Sequence, residues 1–169
     1  CNGNKSIIMN TIEALYHFNI SYLIRLVENI PNEQLYEKQL DGFNSAGWIL
    51  GHLFVEGQDI LDFYEIEHHT SSEWDQYFRY GSGKITSREN LPKKEDLIKK
   101  IKKRYQLLLE LYLNLSDEQK AAKHPSTLLA GTYENMDTWF AHHFTNHIAI
   151  HCGNITVWKK LIGLPINGY

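Results

Sequence analysis

His147 and His151 stand four positions apart in the stretch NHIAIHCGN, whose apolar residues suit the interior of a helical protein. In an α-helix, residues at this spacing share one face, with Cβ atoms about 5 to 6 Å apart. Two imidazoles at that separation can both bind one cation at about 2 Å, whereas without a cation they would crowd each other in apolar surroundings. The pair therefore predicts a shared metal ion. The alternative is two ordinary core histidines, each hydrogen-bonded to a carbonyl or a tyrosine.

A metal ion needs at least one further ligand, and His52 is the best candidate. The three-and-four spacing that includes Ile49 and Ile60 also includes His52 and Glu56, so we expect both side chains to point inward from a second helix. Three neutral imidazoles leave coordination positions open for water or substrate, as in catalytic sites. The cofactor we expect is a divalent metal ion, zinc or nickel, with iron(II) as the alternative, because all three accept such ligands.

Apolar residues repeat at helical spacing in four segments of the chain. We predict helices over residues 7–30, 45–66, 92–115 and 137–162. Ser45 is placed to cap the second helix, and Ser116 to Gln119 resembles a capping box that opens a further short turn. The aromatic-rich segment 67–91 is too long for an open loop in a compact domain, so we expect a short helix inside it. This organisation predicts an all-α four-helix bundle with a long crossover between helices two and three.

The same spacing defines the face of the fourth helix that neighbouring helices should bury. From the first aromatic residue onward, this face comprises Phe140, Phe144, His147, His151, Asn154, Trp158 and Leu161. Three polar side chains interrupt it in consecutive places, and burying a polar group without a partner costs on the order of 1 to 3 kcal/mol. We therefore expect His147, His151 and Asn154 to have partners inside the bundle.

Further residues lie close in sequence to the predicted ligands. His143, one turn before the histidine pair, is either a fourth ligand or a hydrogen-bond donor to bound water, with plain packing as the alternative. Glu56 could orient His52 through its second ring nitrogen, as metal-binding histidines usually require; the alternative is an exposed carboxylate at the edge of the bundle. We expect His142 to be exposed and Cys152 to be a small core thiol.

Length and composition indicate one globular domain over residues 1–169, with 43% hydrophobic and 22% charged residues. The formal net charge of −3 argues against a nucleic-acid-binding surface, and we interpret the basic stretch 99–104 as the solvated face of an amphipathic helix. No apolar run approaches the roughly 20 residues of a membrane span. We expect a cytoplasmic protein; the alternative is a lipoprotein anchored through Cys1. The pair His68-His69 should lie at the surface.

Two stretches together resemble the DinB/YfiT family: NSAGWILGHL at residues 44–53 and HIAIHCGNI at residues 147–155. The resemblance spans nearly the whole chain. It implies a four-helix bundle that binds a divalent metal through one histidine of helix two and an H-x3-H pair of helix four. Carried over residue by residue, these ligands fall on His52, His147 and His151.

The chain departs from the family pattern at two places near these ligands. Many relatives carry Glu or Asp where this chain has Ile148, and Gln where it has Asn154. The general base is therefore unassigned. Glu56, His143 and Asn154 are the residues that could assist catalysis.

The resemblance implies a thiol-dependent metalloenzyme, such as an S-transferase for bacillithiol or mycothiol, or a thiol-dependent isomerase. A metal-bound thiol has a lowered pKa and reacts as the thiolate. The substrate would be a small molecule. The binding site for an apolar electrophile would be lined by aromatic side chains: Trp48, Trp74, Tyr77 and Trp139. The alternatives are metal-assisted hydrolysis with Glu56 as base, and a metal-binding stress-response protein without catalysis. Relatives often pair as homodimers, which we also expect here.

Overall fold

The computed structural model describes residues 11–38, 42–68, 72–82, 85, 90–125 and 131–167, with the backbone alone described at 72 and 73. The described residues form α1 Thr11–Val27, α2 Ala46–Val55, α3 Gln58–Phe63, α4 Ser72–Phe78, α5 Lys94–Asn114, α6 Asp117–Ala121, α7 Met136–His142 and α8 Ile148–Leu161. A π-helical turn, His143–His147, joins α7 to α8. None of the described residues lies in a β-strand. None of the described helices has the length and apolar character that crossing a membrane requires.

Four helical units pack around a common core: α1, α2, α5, and the continuous unit of α7, the π turn and α8. Helix α1 lies against α8 and the π turn, whereas α2 packs against α4, α5 and α8. At the centre of the core, Phe144 is surrounded by the rings of Tyr16, Tyr105, Tyr112 and Phe140. The predicted all-α four-helix bundle is confirmed. The crossover between its second and third helices is also present, and α4 is the short helix expected inside it.

Helix α1 is shorter than the predicted helix over residues 7–30. Residues 7–10 lie outside the described part of the chain, and the helix ends at Val27. The buried ammonium of Lys159 donates to the carbonyl of Leu26 at 2.7 Å, which satisfies one of the carbonyls that a helix end leaves free. On this helix Tyr16 is buried, whereas its neighbour Leu15 is exposed.

The second predicted helix is interrupted after three turns. Helix α2 begins after Ser45, whose hydroxyl accepts from the amide of Trp48, as expected for the cap. Glu56 leaves the helical conformation, and Gly57 adopts the left-handed one with φ +76°, which glycine tolerates best. Because of this break, the spacing of inward-facing residues along α2 does not continue into α3. Phe63, which an uninterrupted pattern would bury, is therefore exposed.

The third and fourth bundle helices end as the sequence predicts. Helix α5 begins two residues after Pro92, and the capping box of Ser116 and Gln119 opens α6. Gly163, with φ +74°, follows the fourth helix. Leu161, assigned to the buried face of that helix, is exposed. Trp158, one turn earlier on the same face, is buried, so the burial of this face stops at Leu161, where the helix ends.

Helix α4 packs closely on α2 because α2 carries a glycine at the point of contact. A Cβ atom at Gly51 would clash with the ring of Phe78, which is fully buried at the end of α4. A Cβ atom at Gly47 would likewise clash with the ring of Tyr36. This close approach brings the backbone at the end of α4 next to the polar side chain of His52.

Candidate metal centre

The three predicted ligands lie together, although they come from distant parts of the chain. His52 projects from α2, His147 is the last residue of the π turn, and His151 lies in the first turn of α8. Nε2 of His147 is 3.3 Å from Nε2 of His52 and 3.1 Å from Nε2 of His151. The candidate ligand atoms of the three rings all lie within 4.8 Å of one another, so the group could hold a metal ion.

Hydrogen bonds between the rings satisfy the three Nε2 atoms only in part. Each such bond needs a proton on one ring and a lone pair on the other, and Nε2 of His147 faces both of its neighbours. In a tetrahedral zinc site with nitrogen ligands at about 2.0 to 2.1 Å, two ligand nitrogens lie about 3.3 Å apart. The two observed separations are close to that value. A cation that accepts all three lone pairs therefore fits this set of donors.

The position of His52 is fixed by the crossover helix. Its Nδ1 lies 3.0 Å from the carbonyl oxygen of Phe78, so the Nδ1–H tautomer donates there and leaves the Nε2 lone pair directed at the centre. The ring of Trp48 stacks on His52 with centroids 5.0 Å apart, and the indole N–H of Trp48 donates to the carbonyl of Tyr77 at 3.0 Å. Two consecutive carbonyls at the end of α4 thus hold His52 and the indole ring that stacks on it.

The other two histidines are held by their helix rather than by hydrogen bonds. Nδ1 of His147 and Nδ1 of His151 are buried and have no hydrogen-bond partner among the described residues. Both rings are half-buried, in contrast to the fully buried side chains of Ile148 and Cys152 on the adjacent face. The triad therefore lies beside the apolar core of the bundle, not inside it.

Burial lowers the pKa of all three imidazoles, which keeps the rings neutral at physiological pH. The pKa of His151 falls to about 4, and neighbouring His52 contributes to the decrease after burial. The pKa of His147 is lowered by burial and then by His143 and His151. For His52, burial lowers the pKa more than the nearby carboxylate of Glu56 raises it. Neutral rings with free lone pairs are the form that binds a metal ion.

Glu56 bridges the triad and His143 at the break between α2 and α3. Its two carboxylate oxygens lie 3.5 Å from Nδ1 of His52 and 3.6 Å from Nε2 of His143. Burial alone would raise the pKa of Glu56, but contact with His143 and the nearby His52 and His151 lowers it overall. The carboxylate is therefore a partly buried part of the centre rather than an exposed group at the bundle edge.

The π turn brings more histidines to the centre than the sequence pattern suggested. In a π-helix, residues five apart become neighbours, and the rings of His142 and His147 have centroids 5.8 Å apart. The prediction that His142 is exposed is wrong, since it is half-buried beside His143 and Tyr133. His143 is buried, stacks on Trp139 at 3.8 Å and donates from Nδ1 to the Trp139 carbonyl at 3.1 Å.

Polar side chains around the π turn explain why it forms. The side-chain amide of Asn19 on α1 donates to the carbonyls of Phe144 at 3.0 Å and Thr145 at 3.1 Å. The hydroxyl of Thr145 donates to the carbonyl of Ala141 one turn back, a bond that often distorts helices. Asn19 thus supplies donors where the regular α-helical hydrogen-bond pattern is interrupted.

The remaining candidate residues occupy different surroundings. Asn154 is half-buried one turn beyond His151 and lines a small cavity with Asn44 and Ile49. Trp74 packs on Phe54 and not on the triad.

Two further expectations concerned Cys152 and the pair at residues 68 and 69. Cys152 is a buried core thiol, as predicted, and burial raises its pKa to about 12. The surface position expected for His68 is wrong, since its ring contacts Asp62 at 2.8 Å and Arg104 at 3.3 Å; His69 lies outside the described residues.

Fold and centre together define a helical bundle with three convergent histidines from its second and fourth helical units. The family model of the DinB superfamily matches residues 15–155, and the chain belongs to the DinB superfamily. The family predicted from the two sequence stretches is thereby confirmed, whereas the narrower YfiT-like assignment stays a prediction. No curated protein matches the chain at a significant level.

We expect Asn19→Leu to destabilise the protein by about 1 to 3 kcal/mol, because two carbonyls of the π turn lose their side-chain donor while the branching of the side chain is kept. The measurement is the free energy of unfolding from urea denaturation of the purified variant. The matched control is Asn146→Leu in the same turn, where the side chain is exposed; it should change stability by less than about 0.5 kcal/mol. Equal stability of the two variants would contradict the assigned role of Asn19.

Proposed function

We propose that the protein is a divalent-metal-dependent enzyme in which His52, His147 and His151 hold the ion. The observation that supports this most is the convergence of three neutral imidazoles, with Nε2 of His147 at ligand-like separations from both of its neighbours and all three ligand atoms within 4.8 Å of one another. Zinc or nickel suits these nitrogen donors, and iron(II) is the alternative. Three protein ligands leave room for a further group, as in catalytic rather than closed structural sites.

The reaction we propose is transfer of a low-molecular-weight thiol to a small apolar electrophile. When bound, the ion would lower the pKa of the thiol and favour its thiolate, which is the reactive nucleophile. Sulfur would then form a bond to carbon while the leaving group departs with its electron pair. The chain itself must supply a place for the proton that the thiol loses.

Glu56 and His143 offer that place. Because Nδ1–H of His143 already donates to the carbonyl of Trp139, Nε2 of the neutral ring is an acceptor, and it faces Glu56 at 3.6 Å. Two facing hydrogen-bond acceptors repel each other. A single proton, carried by either Nε2 of His143 or the carboxylate of Glu56, makes the contact attractive. The pair therefore acts as a proton acceptor next to His52, within the general acid–base repertoire of enzymes.

A cavity lined by Trp48 suits an apolar substrate. Trp48, which stacks on His52, also lines a cavity of about 360 Å³ whose other apolar walls include Tyr36, Phe43 and Ile85. The volume is in the range of small-molecule sites, which are mostly apolar with a few polar groups. Trp48 thus joins the candidate substrate cavity to the candidate metal centre.

Metal-assisted hydrolysis is the second candidate function, and the position of Glu56 favours it. Hydrolysis needs a carboxylate base near the ion, and Glu56 lies beside the ligand His52. The third candidate, a metal-binding stress-response protein without catalysis, needs the same three ligands but no base. Turnover experiments separate the three.

If the triad binds the metal, we expect one ion per chain. His147→Ala should lower the metal affinity by about 100-fold or more, because three ligands become two. The measurement is titration calorimetry with zinc and nickel on protein purified without affinity nickel, together with metal analysis. His142→Ala is the matched control, since its ring lies near the triad but outside it. Similar metal affinity of the two variants would contradict the ligand assignment.

Loss of metal without loss of thermal stability would indicate a catalytic ion, whereas unfolding on chelation would indicate a structural one.

We expect the metal-loaded protein to conjugate a small thiol, such as bacillithiol, mycothiol or cysteine, to 1-chloro-2,4-dinitrobenzene. Formation of the conjugate is measured by its absorbance. Glu56→Gln should slow turnover by about 100-fold with little loss of metal, because the proton-accepting pair loses its carboxylate. Glu118→Gln, an exposed carboxylate on α6, is the control.

The outcomes of this experiment distinguish the candidates. No turnover with any thiol would exclude the transferase on these substrates, and hydrolysis of a p-nitrophenyl ester without thiol would favour the hydrolase. Neither activity in a protein that binds one ion would favour the non-catalytic alternative.

The remaining expectations stay proposals. Exposed apolar side chains on α1 and α8 support a homodimer; Phe18 is 52% and Ile150 is 56% exposed. The cytoplasmic location and the single domain over residues 1–169 are predictions, and Cys1 lies outside the described residues.

A further inference from the structure

A separate cavity, of about 290 Å³, lies along α5 and has no residue of the triad in its lining. Lys99, Lys100, Lys103 and Arg104 line it together with Asp96. Its described lining thus carries four cationic side chains and one carboxylate. The whole chain has a formal net charge of −3, so this concentration of positive charge is local and opposite in sign to the rest of the protein.

Arg104 is the part of this cavity that the sequence analysis assigned wrongly. Within a stretch interpreted as a solvated helix face, its side chain is 2% exposed. The guanidinium lies 5.1 Å from the centre of the Phe54 ring and donates from Nη2 toward Nδ1 of His68 at 3.3 Å. His68 in turn donates from Nε2 to Asp62 at 2.8 Å. These contacts hold the guanidinium in one orientation at the wall of the cavity.

The charge of Arg104 persists despite its burial. Burial lowers its pKa to about 10, with Asp62 opposing the decrease, so the group is cationic at physiological pH. A fixed guanidinium is better suited to a phosphate or carboxylate group than a mobile one, because less conformational freedom is lost on binding.

Lys100 is held in place as well. Its ammonium lies 4.9 Å from the centre of the Trp74 ring and 5.3 Å from that of Phe54, within the range of cation–π contacts. Phe54 and Leu107 also line the cavity and supply an apolar wall beside the cations. The cavity therefore combines ordered positive charge with an apolar surface.

We propose that this cavity binds a small organic phosphate, with the phosphate at Lys99, Lys103 and Arg104 and its apolar part against Phe54 and Leu107. A phosphate monoester carries close to two negative charges at neutral pH, which suits a cavity whose described lining has four cationic side chains and one carboxylate, with Asp62 behind His68. Four cations against one carboxylate favour this dianion over a monocarboxylate. A polyanion such as RNA is disfavoured, because the cations line one concave cavity on a chain of net negative charge.

The test uses the full chain and titration calorimetry with phenyl phosphate, inorganic phosphate and benzoate, each at matched ionic strength. We expect saturable binding of phenyl phosphate, weaker binding of inorganic phosphate, which lacks the apolar ring, and weakest binding of benzoate, which has one charge. Lys103→Gln should weaken phenyl phosphate binding by about tenfold, as loss of one charge-assisted contact does. Arg104 is left intact because replacing a buried cation endangers folding.

Two controls make the result specific to this cavity. Lys102→Gln removes an exposed lysine from the same helix that does not line the cavity, and it should leave affinity within about twofold. His147→Ala should also bind phenyl phosphate normally, because the triad takes no part. The proposal is overturned by absence of saturable binding, by equal losses in the two lysine variants, or by loss in His147→Ala. Binding to anionic lipid vesicles or RNA without binding of phenyl phosphate would also overturn it, in favour of a macromolecular surface.

Discussion

Three imidazole lone pairs directed at one point are the constraint that explains the polar features of this bundle. A helical core gains most of its stability by burying apolar surface, and polar groups taken out of water need partners. Here His52, His147 and His151 face one another at distances where hydrogen bonds between the rings satisfy them only in part. A cation would resolve the conflict, and at His52 the hydrogen bond from Nδ1–H to the carbonyl of Phe78 keeps Nε2 free of a proton.

Both departures from regular helix lie next to this centre. The break at Gly57 ends α2 one turn after His52 and leaves Glu56 beside the rings of His52 and His143. The π turn ends at His147 and is supported from α1 by Asn19. Helical irregularities of this kind are frequent at functional sites, where side chains must be aimed in directions that regular winding does not provide. The two irregularities together add a carboxylate and two histidines to the three candidate ligands.

The sequence predicted the parts of this structure that depend on local spacing. Apolar periodicity located the four bundle helices, and hydroxyl side chains located the caps at Ser45 and Ser116. The triad could be assigned because a spacing of four fixes two rings on one face, and His52 shares an inward-facing pattern with Ile49 and Ile60.

Features that depend on partners far along the chain could not be predicted in the same way. The π turn relies on an amide from α1, and without it the spacing pattern placed His142 on the outside. His68 and Arg104 are buried against each other from different elements, so their local polarity suggested surface positions. Periodicity also loses its phase at the break after α2, beyond which Phe63 is exposed.

X-ray absorption at the zinc edge tests the central claim most directly, using protein loaded with one equivalent of zinc. The account predicts three imidazole nitrogens at about 2.0 to 2.1 Å in the wild type and two in His52→Ala. A sulfur ligand, or a spectrum that the His52 substitution leaves unchanged, would show that the ion is bound elsewhere.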